Sequence, residues 1–131
     1  MLSKTSENYL CVIYELSRAK GYARPKDLTD LFQVSSASVT EMLQKLGKQR
    51  LINYEKRGKI TLTENGLAIS SIMWTRRNTF RRLLELAGVA PKKAHAEASR
   101  IKHNLSDDSV LKLLSLVERL EECESSKSKK A

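Results

Sequence analysis

The chain has 131 residues, the length of one ordinary domain or of two small ones, and 40% of them are apolar, which is enough to build a core. The two cysteines, Cys11 and Cys123, exclude a disulfide scaffold and a four-cysteine zinc site, and the lack of a long apolar run or a signal peptide predicts a cytoplasmic protein away from membranes. Lysine and arginine number 24 against 15 acids, and the resulting charge of +9 favours an anionic partner, most often nucleic acid.

The first half of the sequence predicts three helices. The first covers residues 6–18, is capped by Ser6 and carries one apolar stripe, formed by Tyr9, Val12, Ile13 and Leu16. The second covers residues 25–32 and begins at Pro25, with Leu28, Leu31 and Phe32 pointing inward. The third covers residues 36–49 and buries Val39, Met42, Leu43 and Leu46. The short link between the last two has the proportions of a helix-turn-helix.

A β-hairpin is predicted after the third helix, because the apolar period changes from helix to strand. Ile52 and Tyr54 alternate with polar residues, and so do Ile60 and Leu62. The tip between them is basic and reads Lys56, Arg57, Gly58, Lys59. Three helices followed by a basic hairpin predict a winged helix-turn-helix in residues 1–63.

The second half is predicted to be helical, so the fold class is mainly α. A long helix follows Thr63 and ends at Gly88, and another runs from Pro91 to about Asn104. A last helix is capped by Ser106 and carries an apolar stripe of Val110, Leu113, Leu114, Val117 and Leu120. Residues 64–123 are therefore expected to form a helical domain, and the polar residues 124–131 a frayed tail.

The third helix is predicted to enter the major groove of double-stranded DNA, because its start is small and polar and lets the backbone approach the bases. The candidate DNA-binding residues on and near this helix are Arg24, Ser35, Ser36, Ala37, Ser38, Thr40, Gln44, Lys45 and Lys48. Those in the hairpin are Lys56, Arg57 and Lys59. The alternatives are a merely solvated polar face and a winged helix that binds protein.

The stretches VTEMLQKL and GKITLTENG, together with LLELAGV and RIKHNLSDD, resemble the metal-dependent regulators of the diphtheria-toxin-repressor family, and most of all their manganese branch. The resemblance covers about residues 6–122. It implies a DNA-binding domain in residues 1–63 and, in residues 64–123, a connecting helix and a dimerisation domain. It also implies a homodimer on a palindromic operator, and we assign the apolar stripe of the last helix to the dimer contact. A repressor is the expected function, and no enzyme motif is present.

The resemblance also implies a divalent metal, held by acids and histidines, but the matching positions differ here. They carry Asn8, Cys11, Arg77, Ser99, Lys102 and His103, of which only His103 is a matching ligand. We therefore expect no metal cofactor, with Arg77 and Lys102 as fixed cations in its place, bonded to Asn8 or to helix carbonyls.

Three alternatives to this loss of the metal remain open. In the first, manganese or a softer metal such as zinc or copper binds an altered site of Cys11 and His103, with His95 or Glu97. In the second, the two cations bind an anionic effector. In the third, Cys11 senses oxidation.

Overall fold

The computed structural model describes residues 2–55 and 57–130. These described residues form two compact units, an N-terminal and a C-terminal one, which divide between Trp74 and Thr75. The predicted fold class is confirmed, since the described chain consists of helices with one two-stranded sheet. In the described part of the chain, none of the helices is both long and apolar enough to span a membrane. The long helix that connects the two domains contributes residues to both units.

The N-terminal unit begins with three helices: α1 (Lys4–Lys20), α2 (Pro25–Phe32) and α3 (Ser36–Lys48). The cap of α1 is Ser3, whose hydroxyl accepts the N–H of Ser6, so the prediction of Ser6 as cap was wrong. Ser6 lies inside the helix and is fully buried. The cause is that a serine at position 3 offers the same capping chemistry one turn earlier.

Two short strands, β1 (Ile52–Tyr54) and β2 (Ile60–Leu62), pair antiparallel and form the wing, a name used here for residues 52–62. The other edge of β2 pairs with the α1–α2 loop. There the N–H of Ala23 donates to the carbonyl of Ile60 at 2.9 Å, and the N–H of Ile60 donates to the carbonyl of Ala23 at 2.8 Å. The loop before α2 therefore holds the wing in place beside the helix-turn-helix.

One apolar core lies under these elements, and it includes members of the predicted apolar stripe of each of the three helices. Ile13, Leu28, Val39 and Leu46 have no exposed surface. Leu10, which was not among the predicted stripe residues of the first helix, is also fully buried. The main exception is a residue predicted to point inward: Leu31 of α2 is 60% exposed. The amphipathic period alone placed it inward, but this short helix buries only Leu28 completely.

The C-terminal helices are α4 (Glu64–Leu86), α5 (Pro91–Ile101) and α6 (Asp107–Lys130). The turn after α4 passes through Gly88 in the left-handed conformation, with φ 98°. Ser106 caps α6 as predicted, since its hydroxyl accepts the N–H of Ser109 at 3.2 Å. In the predicted tail 124–131, α6 continues to Lys130, and Ala131 lies outside the described residues.

Candidate nucleic-acid interface and effector region

The polar face of α3 is open to solvent. Its apolar side, with Val39, Leu43 and Leu46, is buried in the core of the N-terminal unit. Because consecutive helical residues are about 100° apart, this burial turns the other side of the helix outward. The candidate contact residues on it are all exposed: Ser36, Ala37, Ser38, Thr40, Gln44, Lys45 and Lys48. They present a small, polar and basic surface along the whole helix.

The first turn of α3 is fixed by its own side chains. The hydroxyl of Ser35 accepts the N–H of Ser38 at 3.1 Å and donates to the Ser38 hydroxyl at 3.0 Å. Ser35 is therefore the N-cap of the helix, a role that the prediction of it as a DNA contact did not include. A capped first turn directs the remaining N–H groups of Ser36 and Ala37 outward, where an anion or a base edge can approach.

The wing carries exposed cations next to this helix-turn-helix. Arg57 and Lys59 are exposed, and Lys56, predicted with them, lies outside the described residues. Arg24 precedes α2, and its guanidinium donates to the carbonyl of Arg57 at 3.0 Å. Arg24 was predicted as a phosphate contact. In the structure its side chain also joins the start of α2 to the tip of the wing.

Asp27 organises the start of α2. Its carboxylate accepts from the ammonium of Lys20 at 2.7 Å and from the backbone N–H of Arg24 at 2.9 Å. The bond from Lys20 is the main reason that the pKa of the Asp27 carboxyl lies below its usual range. Burial opposes it, and the bond from the Arg24 backbone adds to it. The carboxylate thus binds both the end of α1 and the backbone of Arg24 beside the wing.

The six positions of the implied metal site divide between the two units. In the N-terminal unit, α1 carries Asn8, which is half-buried, and Cys11, which is 1% exposed. In the C-terminal unit, Arg77 is 4% exposed and Lys102 is 2% exposed. The remaining two, Ser99 and His103, are half-buried.

The buried cations change the electrostatics around α5. The pKa of His95 lies below its usual range, first because of partial burial and then because of the positive charges of Arg77, Arg81 and Lys102. The three cations add a positive potential at His95 to the larger effect of burial. A positive potential of this kind opposes the approach of a divalent cation.

Arg76 is a buried cation that the sequence analysis missed. Its guanidinium donates to the carbonyl of Lys102 at 3.1 Å, to the carbonyl of Leu105 and to the carboxylate of Asp107. One arginine of α4 thereby satisfies the end of α5 and the start of α6. The prediction had given such carbonyl contacts to Arg77 and Lys102. Nothing in the sequence around Arg76 identifies its acceptors, because they lie 26 to 31 residues further along the chain.

The side chains at the six positions do not fit a divalent metal. Manganese prefers several oxygen ligands, mostly carboxylates, but the set offers one imidazole, one thiol, one amide, one hydroxyl and two cations. Within residues 2–55 and 57–130, no three His, Cys, Asp or Glu side chains are grouped so that they could hold a metal ion. This chemistry disagrees with the metal site that the resemblance implies.

The apolar stripe predicted for dimerisation on α6 is divided between the core and the surface. Val110 and Val117 are 4% and 0% exposed, so they belong to the core of the chain and their assignment to a dimer contact was wrong. Leu113 and Leu114 are half-buried. Leu120 is exposed, and it shares the surface of α6 with Leu111 and Leu116. The apolar periodicity of a helix in the sequence does not show which of its residues face the chain's own helices and which face a partner.

Comparisons with known proteins agree with this architecture. The model of the N-terminal DNA binding domain of iron dependent repressors matches residues 1–60, and that of their metal binding and dimerisation domain matches residues 63–130. The HTH-type transcriptional regulator MntR of Bacillus velezensis is 35% identical over 127 residues, which are 97% of this chain and 89% of that protein. Its Bacillus subtilis counterpart is 34% identical over 122 residues, 93% of this chain and 86% of that protein.

Solved structures of similar fold include that of the manganese regulator SloR. It superposes with a TM-score of 0.73 at 27% identity and covers 86% of this chain and 53% of that one. The structure of ScaR with bound Zn²⁺ gives a TM-score of 0.68 at 31% identity, with 86% and 53% covered. This chain thus spans about half the length of these two structures.

Proposed function

Because the chain belongs to the iron-dependent repressor family, we propose that it binds a palindromic DNA operator as a homodimer and represses transcription by occupying it. Membership of this family makes the chain a DNA-binding transcriptional regulator and not an enzyme. The observation that carries the finer proposal is the exposed polar face of α3 beside the basic wing. This combination offers a helix for the major groove and cations for the flanking backbone.

In this proposal the residues of α3 have distinct tasks. Ser36, Ala37 and Ser38 lie at the start of the helix, where the backbone comes closest to the base edges. Gln44 reads a base, since its amide can bond adenine at two atoms, and Thr40 supports it. The longer cations bind phosphates and set the register: Lys45, Lys48, Arg57 and Lys59.

We assign the dimer contact to α6, and a homodimer offers one copy of α3 to each half-site of a palindromic operator. The exposed apolar residues of α6 support this assignment, since Leu111 is 62% exposed and Leu116 and Leu120 are each 39% exposed. Leu116 and Leu120 lie four positions apart and therefore share one face of α6, and exposed apolar side chains on one face favour a partner helix of the same kind. The matching family model includes dimerisation among the functions of this domain.

We further infer that this chain binds DNA without a divalent metal, although SloR is named a manganese regulator and ScaR was solved with zinc. The inference is supported by the unsuitable side chains at the six positions and by the buried Arg77 and Lys102. It is supported also by the positive potential at His95. The competing hypothesis is a metal-responsive regulator with an altered site that includes Cys11 and His103, and the metals bound by the relatives favour it.

Fluorescence anisotropy separates these functions. The probe is a labelled duplex from the region upstream of the protein's own gene, with a scrambled duplex of equal composition as the control. Titrations at fixed salt are run in EDTA and again with manganese or zinc. Equal, sequence-specific affinity in all buffers is the expected result.

Other results would contradict particular parts of the proposal. Binding that appears only with metal, and that His103→Ala removes, establishes the altered metal site. Binding of equal strength to both duplexes contradicts an operator-specific regulator. If neither duplex is bound in any buffer, the winged helix is a protein-binding module instead.

A further inference from the structure

Three cations surround the ring of Tyr22 in the loop between α1 and α2. The ammonium nitrogens of Lys59 and Lys20 lie 4.9 and 5.5 Å from the ring centroid, and the guanidinium carbon of Arg24 lies 5.1 Å from it. All three distances are within the range of a cation–π contact. These four residues are called the Tyr22 cluster below. They come from the end of α1, the start of α2 and the wing, so the fold has gathered them.

The backbone holds the Tyr22 cluster in place. The paired residues Ala23 and Ile60 directly follow Tyr22 and Lys59, so the two hydrogen bonds between them fix the ring opposite the lysine. Arg24 is held separately, because its guanidinium donates to the carbonyl of Arg57. Restrained side chains lose less conformational freedom when a ligand binds them.

The charge of the Tyr22 cluster is unbalanced. Lys20 pairs with Asp27 at 2.7 Å. Within the described residues, neither Arg24 nor Lys59 pairs with a carboxylate. Cations that share one aromatic ring repel one another, and a bound anion relieves that repulsion. The electron-rich ring face offsets part of the cost while the anion is absent.

We propose that the Tyr22 cluster binds one backbone phosphate of the DNA, outside the base pairs that α3 contacts. The cations supply the charge, Arg24 offers its planar donors to the phosphate oxygens, and Tyr22 is the positioning residue. This inference rests on the proposed function, since it needs a duplex held by α3. It adds Lys20 and Tyr22 to the interface and assigns Lys20, Arg24 and Lys59 to a single phosphate.

The first test replaces the phosphates that flank the bound sequence one at a time by uncharged methylphosphonates. In the wild type, we expect one position per half-site to weaken binding about tenfold, since a charge-assisted hydrogen bond is lost. At that position the loss should shrink to about twofold or less in Lys59→Gln, because the two changes remove the same contact. Lys93→Gln, which removes an exposed lysine of α5, is the matched control and should leave the loss unchanged.

The second test concerns Tyr22 itself. Tyr22→Phe keeps the ring and should bind DNA as the wild type does. Tyr22→Leu keeps every cation but removes the ring, and we expect a several-fold loss of affinity together with loss of the methylphosphonate effect. Circular dichroism monitors folding, and if Tyr22→Leu does not fold, the comparison of Lys59→Gln with Lys93→Gln decides alone.

Two outcomes overturn the inference. The first is that every flanking methylphosphonate reduces DNA affinity by the same factor in Lys59→Gln as in Lys93→Gln. In that case the Tyr22 cluster does not bind a phosphate. If folded Tyr22→Leu retains the full loss at that position, Tyr22 does not position the cations. These failures leave the proposed function intact when the wild type still prefers its own duplex. Loss of that preference in the wild type instead contradicts the proposed function.

Discussion

Gly66, in the first turn of α4, lies against the backbone carbonyl of Leu51. A Cβ atom built on Gly66 would be 1.9 Å from that oxygen and 2.9 Å from its carbon. The same carbonyl accepts the N–H of Thr63 at 3.1 Å, so the start of α4 is bonded to the chain just before β1. The glycine within the stretch GKITLTENG therefore permits a close approach of two backbones.

Gly66→Ala is expected to destabilise the protein by about 3 kcal/mol, because backbone atoms have to move to admit the methyl group. Gly47→Ala is the matched control, since a Cβ at Gly47 meets no atom within 4 Å and its φ is not positive. A helical alanine in place of Gly47 should stabilise α3 by up to about 1 kcal/mol. Urea denaturation without DNA measures both. Equal stability of the two variants would contradict the close approach.

Arg76 is expected to be essential for the stability of the C-terminal unit. Arg76→Gln removes the donors to the carbonyls of Lys102 and Leu105, and the loss should be on the order of 3 kcal/mol. Asp107→Asn should cost less than about 1 kcal/mol, because the Asp107 side chain is 71% exposed and its pair is screened. Arg119→Gln, at an exposed position of α6, is the charge-matched control. Urea denaturation of the three variants tests this order.

The pKa of His95 predicts a pH dependence of stability. Because its folded-state pKa lies below the ordinary value, the unfolded chain takes up the proton first as the pH falls. The contribution of His95 to stability is therefore present at neutral pH and is lost as the pH falls from the ordinary histidine pKa through the lowered one. NMR titration of the His95 ring measures this pKa directly.

Arg81→Gln should raise the pKa of His95 towards its ordinary value, because one of the three neighbouring cations is removed. Lys112→Gln removes a cation of α6 that pairs with Asp108 and serves as the control. If Arg81→Gln leaves the titration of His95 unchanged, Arg81 does not contribute to the lowered pKa, and burial with the other two cations accounts for it.

The oligomeric state depends on the exposed side of α6 in the proposed homodimer. Replacing Leu116 and Leu120 together by glutamate should give folded monomers, because both lie on one exposed face of α6 and the change places charge on an apolar contact without entering the core. Val117→Glu should instead unfold the C-terminal unit, since Val117 is completely buried. Sedimentation velocity with circular dichroism distinguishes the two results. A persistent dimer of the double variant would place the interface elsewhere.

Specificity and general affinity should separate along α3. Gln44→Ala is expected to weaken binding to the specific duplex by about 1–3 kcal/mol and to leave the scrambled duplex almost unaffected. Lys48→Gln should weaken binding to both duplexes and reduce the slope of log K against log salt by about 0.9. Anisotropy titrations at several salt concentrations measure both effects. An unchanged slope in Lys48→Gln would exclude Lys48 from phosphate contact.

Much of the N-terminal unit could be predicted from local sequence signals. The start of α2 follows from Pro25, and the two strands of the wing follow from a period of two around a glycine-containing tip. The predictions fail where two nearby residues could play the same local role, or where a side chain binds a residue far along the chain. Ser3 and Ser6 both offer a cap, and only the structure shows which one the backbone uses.

The C-terminal unit was harder to predict for a related reason. Its helices were found, but a stripe of apolar residues does not state which neighbour covers it, so Val117 was assigned to a partner although it lies in the core. Arg76 was missed because its acceptors are carbonyls, and a sequence does not show which carbonyls remain exposed at a helix end. Predicted DNA contacts such as Gln44 are at least placed on an open surface.

The pairing of Ala23 with Ile60 has a consequence for the dynamics of the DNA-binding half. The two residues close a loop that contains the whole of α2, α3 and β1. If the wing separates from residue 23, these two hydrogen bonds break, and the segment that contains α3 is no longer held at both ends. We expect amide hydrogens across residues 23–62 to exchange together as one cooperative unit. The two elements that we propose to contact DNA, α3 and the wing, should therefore open and close together, because the Ala23–Ile60 hydrogen bonds link them.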